Sequence, residues 1–548
     1  MPDLTQKLRI GLLLDSETVP AWQQLALRKI VESSSAELVL AVINGSPKGG
    51  ETAPFPYRAY RWLDRKLFKA TPDAFARAPL SDLLGNVERL VVTPRQTRYS
   101  DDFPADAIDQ LRARNLDVLI RFGFRILRGD ILTAARLGVW SYHHGDNDRY
   151  RGGPPGFWEV MEAAPATGCV LQILNEDLDN GTVIYKSFSL TDKLSVHRNK
   201  SRLYWKSASF LVRCLAEAQR LGPERYLEQV RQQQPAISVY GWPMYTPAKL
   251  SWPRMLSFVA GLAWRNLQRK LGEALWREQW ILLYRFRTGR ALSFWRFRQL
   301  TPPADRFWAD PHVICRDGRH YLFFEEFLYR SGKGRIVCVR FDDEGRPTPP
   351  EVVLERDTHL SYPHLFEHAG EVYMVPESSQ NRTVELYRAV DFPSRWELVK
   401  VLLDNVTAVD ATLLQHDGRW WLFANLVETP GASSCDELFL YSTTDVLTGD
   451  WEPHPANPIV SDVRCARPAG CIFAREGVLY RPAQNCSGRY GNGIVLQRID
   501  RLTLDEYAET SVDSFDASFM AGIGFMHTFN QAGELTVADA RRKRWKWC

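Results

Sequence analysis

Two short stretches hold the residues best suited to moving a proton. The run Trp140-Ser-Tyr-His-His-Gly-Asp-Asn-Asp-Arg-Tyr-Arg-Gly-Gly-Pro154 carries His143, His144 and Asp146, and the tetrapeptide Leu178-Asp-Asn-Gly181 carries Asp179. An imidazole changes charge near neutral pH, so it serves as general acid or base, and a carboxylate beside it orients or charges the ring. A second group lies in the carboxyl-terminal half, where Asp310, Glu325, Glu326, Glu377, Asp410 and Arg467 fall near the ends of strand-like runs. Carboxylates gathered there suit the hydroxyls of a sugar or, as a pair flanking a glycosidic bond, its hydrolysis.

The elements around the first group must bring two loops to one cleft. Residues 116–124 form a short apolar run, residues 125–136 follow with helical spacing, and residues 138–142 read as the next strand. His143 then falls just past a strand's carboxyl end, where open α/β sheets hold their ligands. Residues 8–14 predict a first strand, 21–33 a helix and 37–43 a second strand, the order that begins a doubly wound sheet. Residues 44–60, rich in Gly and Pro, predict a surface loop, and a helix over 201–219 ends the domain.

On these residues the chain resembles, over roughly residues 5–220, the catalytic domain of the formyltransferases that use formyl-tetrahydrofolate. The family's Asn-x-His, its loop closing on Tyr-Arg-Gly and Pro, and its Leu-Asp-x-Gly have counterparts here. Counted back from Tyr150-Arg151-Gly152, the family histidine falls on His143, the aspartate on Asp179 and the asparagine on Ser141. In the family the asparagine amide helps to polarise the formyl carbonyl, whereas a serine hydroxyl is shorter and has one donor. The family's Ser-Leu-Leu-Pro after the histidine is replaced by Gly145-Asp-Asn-Asp148. The resemblance implies a catalytic set of His143, Asp179 and Ser141, with Ser141 or a backbone N–H in place of the missing amide. It implies that Phe122, Gly123, Phe124 and Gly181 lie at the formyl-tetrahydrofolate and that His144, Asp146 and Arg151 lie at the substrate, with His144 as the alternative base. No metal is expected. The structural alternative is that the two histidines are polar loop residues and Asp179 caps a turn.

At 548 residues the chain is too long for one core, and two to four domains are expected. With 45% hydrophobic and 24% charged residues it has the make-up of a soluble globular protein. A net charge of only +4 gives no case for a nucleic-acid partner, which weighs against a tRNA-directed enzyme. Nine cysteines without a repeated ligand spacing predict reduced thiols rather than a disulfide framework. With no signal-peptide pattern and no membrane-spanning apolar run, a cytoplasmic location is expected.

Between about 225 and 300, Trp252, Trp264, Trp276, Trp280, Tyr284 and Trp295 are interleaved with Arg and Lys, and Met255, Val259, Leu262, Leu267, Leu271 and Leu275 recur at nearly helical spacing. An interdomain helix packed on both neighbours is one reading. A helix lying in a membrane interface is the other, with the basic tail from Arg541 to Trp547 adding attraction to an anionic surface.

From about 305 a repeat of strand, Gly turn and strand begins. Ala309-Asp310-Pro311 opens a unit running to Phe323, echoed over 362–375, 409–423 and 468–480, with a degenerate fifth unit over 527–537. Units of about fifty residues with several strands each mark propeller blades. The fold class expected is therefore multidomain, α/β plus all-β: a doubly wound, Rossmann-type formyltransferase-like domain over 1–235, a helical aromatic and basic linker over 236–300, and a five-bladed β-propeller over 301–548.

Through Ala309-Asp310-Pro311 this half resembles the five-bladed propellers of arabinanase-, xylosidase- and invertase-like glycoside hydrolases. It looks still more like the amino-terminal domain of plant glucosamine inositolphosphorylceramide transferases, through Ser361-Tyr-Pro-His364 and Val375-Pro-Glu-Ser378. The resemblance implies carbohydrate handling, with Asp310 in the hydrolases' general-base position and Arg467 where a glutamate is expected. Asp310, Glu377, Asp410 and Arg467 are the expected sugar contacts, with Trp308, Tyr362, Trp420 and Tyr490 as stacking candidates. Asp-Pro and Asp-Ala pairs that simply close turns are the structural alternative. Two functional readings follow. One is formyl transfer to an amino sugar carried on a nucleotide, glycolipid or glycan. The other is a glycosyl-transferring or glycan-cleaving propeller behind a degenerate formyltransferase-like domain.

Overall fold

The strand Leu8–Leu14 is apolar at almost every position because it lies inside a seven-stranded sheet covered on both faces. The computed structural model describes residues 6–47, 53–97, 99–177, 179–234, 240–246, 249–286, 297–517 and 522–546; Leu178, Trp295 and Trp547 lie outside them. The strand order is Thr182–Leu190, Ala166–Ile173, Val139–His143, Val118–Arg121, Leu8–Leu14, Ala36–Asn44 and Glu88–Val92. Val139–His143 and the four strands after it in this order are parallel, and the first two pair antiparallel. Side chains alternate across a strand. Ile10, Leu12 and Leu14 therefore join one core layer with the helices Ala21–Glu32 and Phe210–Leu221, while Leu13 packs in the other with Leu119, Val139 and the helix Ala105–Arg112.

Several expectations change in this unit. The interval 125–136 is not an α-helix: Ile126–Arg128 is a strand paired with Ser100–Asp102, and Gly129–Thr133 is a 3₁₀ turn. The side chain of Asp101 takes the Arg125 N–H at 2.8 Å, and Gly129 sits at φ +75°, outside helical space. The loop expected over 44–60 gives way to the helix Phe55–Leu67, with a proline in its first turn, where no N–H is needed. The closing helix is two helices, Val196–Ser207 and Phe210–Leu221, followed after Gly222 (φ +82°) by Pro223–Gln232.

The chain divides into two compact units, Met1–Asn266 with Thr429–Ala432, and Leu267–Glu428 with Ser433–Cys548. The interval 236–300 is accordingly not a helical linker throughout. Trp252–Leu275 is helix, but Trp276–Phe286 is a strand that pairs antiparallel with Leu535–Trp545 along its whole length. The same pairing removes the basic tail as a free element, because Arg541 and its neighbours through Trp545 are strand residues. The Arg541 guanidinium is ion-paired to Glu278 at 2.8 Å and lies over the Phe525 ring.

The second unit is a succession of antiparallel sheets. Four have four strands each, beginning with Arg306–Arg316, Ser361–His368, Ala408–His416 and Phe473–Arg475, and a fifth is the sheet joined by Trp276–Phe286 and Leu535–Trp545. The first strands of three sheets share one irregularity. Register slips between Ala309 and His312, between Ser361 and His364, and between Val409 and Thr412. In each bulge one residue adopts left-handed backbone: Asp310 (φ +52°), Tyr362 (φ +43°) and Asp410 (φ +52°). A bulge re-aims the side chain it carries, so in these three sheets the repeat redirects one side chain each, Asp310, Tyr362 and Asp410.

Candidate active site

In the first unit the two loops meet. The Nδ1 atom of His143 lies 3.3 Å from a carboxylate oxygen of Asp179, and the other oxygen of Asp179 accepts the Gly152 N–H at 2.8 Å. The Nε2 atom of His143 lies 2.9 Å from the Tyr150 carbonyl, which can only accept, so Nε2 donates. Burial alone would push the His143 pKa down, but the hydrogen bond and charge of Asp179 and the Tyr150 carbonyl outweigh it and leave the pKa raised. Burial likewise works to raise Asp179, yet His143, the Gly152 N–H and Arg121 bring it below the usual carboxylate range. Asp179 holds left-handed backbone at φ +52° to make this contact. Gly145 is glycine for a steric reason: a Cβ there would stand 2.8 Å from His143 Nε2.

Ser141 lies two residues before His143 on the same face of its strand. It is directly opposite Arg121 on one neighbouring strand and Gln172 on the other. The Arg121 guanidinium donates to the Ser141 hydroxyl oxygen at 3.0 Å and to the carbonyls of Phe124 (3.2 Å) and Arg125 (3.1 Å). Gln172 is 2% exposed, and its Oε1 has no hydrogen-bond partner. Its carboxamide packs against Gly181, where a Cβ would come 3.2 Å from the Gln172 Cδ and 2.3 Å from the Ile173 carbonyl oxygen. Arg121, Ser141 and Gln172 thus form a polar rung across three strands beside the His143–Asp179 pair. Sequence reasoning missed Arg121 and Gln172, because their pairing with Ser141 is set by sheet register rather than by any local motif.

The other expected residues of this unit are not gathered in one place. His144 faces the opposite side of the strand, stacked on Tyr204 at 3.5 Å between ring centroids and edge-on to Trp22, with Ser207 at 3.2 Å. Burial, with the charges of His143 and Lys200, holds its pKa well below the usual histidine value, so it is a neutral core residue. Phe122 also packs on Trp22, and the Phe124 N–H is held by Asp15 at 2.8 Å. Gly123 runs so close to the neighbouring strand that a Cβ would lie 2.3 Å from the Asp15 nitrogen. These three residues shape the sheet end. Asp146 is bound to Lys186 at 2.8 Å, and Arg151 donates to the Asn147 carbonyl at 2.7 Å beneath the Tyr240 ring. With Asn147, Lys186 and Gly181, Arg151 borders a cavity of about 560 Å³. Glu159, also missed, is buried with Oε1 unpartnered, and burial raises its pKa to about 7.

The second unit gathers a carboxylate cluster. Arg467 grips Asp410 with two nitrogens, at 2.6 and 3.3 Å, and lies 3.8 Å from Glu377, whose other oxygen takes the Ser379 hydroxyl at 2.9 Å. Asp310 accepts the Thr528 hydroxyl at 2.9 Å and faces His527 Nε2 at 3.6 Å, while His527 Nδ1 meets Asp539 at 2.5 Å. Burial, only partly offset by His527, raises Asp310 to about 6, with Asp410 and Asp539 adding to the rise. Burial and the Asp410 charge raise Glu377 to about 8 against the pull of Arg467. Glu325, opposite Ala309, is raised well above its ordinary value, by burial first and then by Asp310, Glu377, Asp539 and Asp410. His527 and Asp539 complete this cluster and belong to the least regular unit of the repeat, where the pattern is hardest to align.

Glu326 is not part of the cluster: it is held by Arg306 at 3.0 Å and Arg335 at 2.7 Å. Of the aromatic candidates, Tyr490 lies against the Arg467 guanidinium at 5.1 Å. Trp308, Tyr362 and Trp420 are structural instead. Trp308 donates to Glu326 at 3.1 Å, the Tyr362 hydroxyl contacts Thr412 at 2.9 Å, and Trp420 packs on Phe366. His312, His364 and Cys471 approach one another closely enough to hold a metal. However, the Leu413 N–H donates to His364 Nε2 at 3.1 Å. That places the His364 proton on Nδ1, the nitrogen facing Cys471, and leaves the set one ligand short.

The family described as glucosamine inositolphosphorylceramide transferase 1, N-terminal, matches residues 298–522. Glucosamine inositolphosphorylceramide transferase 1 of Oryza sativa subsp. japonica is 39% identical over 210 residues, 38% of this chain and 28% of the rice protein. A methionyl-tRNA formyltransferase of Synechococcus sp. (strain WH7803) is 30% identical over 156 residues, 27% of this chain and 45% of that enzyme. Among solved structures, a family 117 glycoside hydrolase of Zobellia galactanivorans has a TM-score of 0.32 at 13% identity, covering 48% of this chain and 90% of its own. The chain is thus similar over part of its length to a plant glucosamine inositolphosphorylceramide transferase and over part of its length to a methionyl-tRNA formyltransferase, and it spans about a quarter of the plant relative's length and under half of the formyltransferase's.

Proposed function

We propose that this chain transfers a formyl group from formyl-tetrahydrofolate to the amino group of a sugar, and that its second unit is a five-bladed propeller that holds the sugar. The observation that carries the reading is the His143–Asp179 contact of 3.3 Å, which joins the last residue of the strand Val139–His143 to the turn that precedes the strand Thr182–Leu190. Formyl-tetrahydrofolate, when bound, supplies an activated carbonyl. The amine nitrogen forms a bond to the formyl carbon, the bond from that carbon to the donor nitrogen breaks, and one proton passes from the amine to the departing nitrogen.

His143 carries that proton, and Asp179 stabilises the ring while it is charged. Because Nε2 is held by the Tyr150 carbonyl, transfer requires the loop around Tyr150 to release it. Charge developing on the formyl oxygen needs donors aimed at it. The Ser141 hydroxyl, steadied by Arg121, and the Gln172 carboxamide stand on the right face to receive it. In this rung the Gln172 carboxamide N–H would donate to the formyl oxygen, while its buried, unpartnered Oε1, an acceptor, would take a hydrogen from the incoming amine. In the second unit Asp310, Glu377 and Asp410, balanced by Arg467 and His527, would accept sugar hydroxyls, and Tyr490 would offer a ring face. All eight described cysteines are free thiols, in keeping with a cytoplasmic setting for this reaction.

A second reading rests on one specific observation: Glu377, raised to about 8, stays protonated at neutral pH beside the Asp410–Arg467 pair, as the acid of a glycan-cleaving or glycosyl-transferring site would. The test is to incubate the full chain with formyl-tetrahydrofolate and free glucosamine, galactosamine or their nucleotide-linked forms, following N-formyl protons by NMR. Formylation that disappears in Asp179→Asn supports the first reading. Absence of formylation with release or transfer of glycosyl groups that depends on Glu377 supports the second.

A further inference from the structure

Two helices turn large apolar side chains outward from the first unit, the second of them through its residues before Leu267. The helix Phe55–Leu67 packs through Tyr57, Tyr60 and Asp64, yet Phe55 and Trp62 on its opposite side are 65% and 63% exposed. Helical spacing puts Arg58, Arg65 and Lys66 on that outward side, and the Lys66 ammonium stands 4.7 Å above the Trp62 ring. The helix's carboxylate, Asp64, is turned inward and accepts the His197 N–H at 2.7 Å. The helix Trp252–Leu275 packs through Met255 and Leu262 and leaves Trp252, Leu256 and Trp264 exposed by 54%, 63% and 58%. Spacings of four and eight residues put these three on one face. The rings of Phe55 and Trp252 lie 5.9 Å apart, so the two exposed faces join.

Contiguous apolar surface of this kind marks an interaction site rather than ordinary solvent exposure. Its composition selects the partner. Aromatic residues interleaved with Arg and Lys, without an exposed carboxylate on the helix Phe55–Leu67, complement an anionic surface whose interior is apolar, which is the interface of a bilayer. The contact is peripheral, since no helix among the described residues is long and apolar enough to cross a membrane. We propose that the joined faces of these helices bind the surface of an anionic lipid bilayer, with Phe55, Trp62, Trp252 and Trp264 entering the headgroup layer and Arg58 and Lys66 meeting lipid phosphates. This inference is independent of the formyl-transfer reading and replaces the basic tail as the source of membrane contact.

The test is co-sedimentation of the full chain with phosphatidylcholine vesicles containing about one-third phosphatidylserine, and with vesicles of phosphatidylcholine alone. The expected result is at least tenfold stronger binding to the anionic vesicles, weakened by salt. A further fall of about tenfold is expected in Trp62→Ala/Trp252→Ala, whose altered side chains are mostly solvent-exposed, and in Arg58→Glu/Lys66→Glu. Circular dichroism of each variant confirms that it is folded. Failure of the wild-type chain to bind anionic vesicles would overturn the proposal. So would binding that the folded variants retain in full, or a stable dimer that these substitutions convert to monomer while vesicles are ignored.

Discussion

Asp310 and Asp410 occupy the same bulge position of two different sheets, each at φ +52°, and the charge of Asp410 helps to raise the pKa of Asp310. A repeat that sets acids side by side must supply counter-charge, and the one beside Asp410 and Glu377 is Arg467. Arg467→Met should therefore leave a buried carboxylate unpaired and destabilise the second unit by about 3–5 kcal/mol. Chemical denaturation would show it, and the double variant Arg467→Met/Asp410→Leu should recover much of the loss. Equal stability of wild type and the single variant would mean that the pair is not held as described.

Gln172 and the rung it completes lead to a binding prediction that needs no turnover. The intact chain should bind a 10-formyl folate analogue more tightly than the same analogue without its formyl group, and Gln172→Leu should erase that preference while leaving affinity for the unformylated form unchanged. A lost hydrogen-bond donor at a developing oxyanion typically costs about 10²–10³ in rate, so transfer should fall by that order. Calorimetry with both analogues checks the first part. An unchanged ratio would assign Gln172 a packing role.

Glu159 gives a pH prediction. Its folded-state pKa of about 7 lies above the ordinary glutamate value, so the folded state favours the protonated form. Stability is then lost as pH rises from the unfolded value through about 7, since the buried carboxyl must ionise. Glu159→Gln should match wild type near pH 5 and exceed it above pH 8 by about 1–3 kcal/mol. Thermal melts at the two pH values decide it, and a constant difference between the proteins would contradict the assignment.

Gly181→Ala would place a Cβ 2.3 Å from the Ile173 carbonyl oxygen and 3.2 Å from the Gln172 side chain. The first neighbour is backbone and cannot step aside. The variant should lose about 2 kcal/mol or more of stability and disturb the Asp179 loop, read as weaker folate-analogue binding. An alanine variant as stable as wild type would show that the two strands are further apart than described.

Much of the architecture was legible because it rests on local pattern. Apolar runs such as residues 8–14 announced the central strands, and the Ala309-Asp310-Pro311 echo announced the sheets of the second unit. His143 and Asp179 were legible as a pair through ordered motifs. What the sequence hid was long-range. The strand Trp276–Phe286 reads as part of an aromatic helix until its partner, Leu535–Trp545, is known. Residues 125–136 have helical spacing, yet Asp101 and the Arg121 side chain draw the start of this stretch into other geometry. His144, adjacent to His143, points to the opposite face and is a core residue, a distinction that depends on strand register. Arg121 and Gln172 meet Ser141 only across strands.

The central claim is that residues near His143 and Asp179 receive a formyl-folate, and calorimetric titration of the intact chain with a non-transferring 10-formyl folate analogue tests it most directly. The account predicts saturable one-to-one binding by wild type, and binding retained in Asp179→Asn, whose transfer activity is lost. Absence of any binding heat with the folded wild-type chain would contradict it.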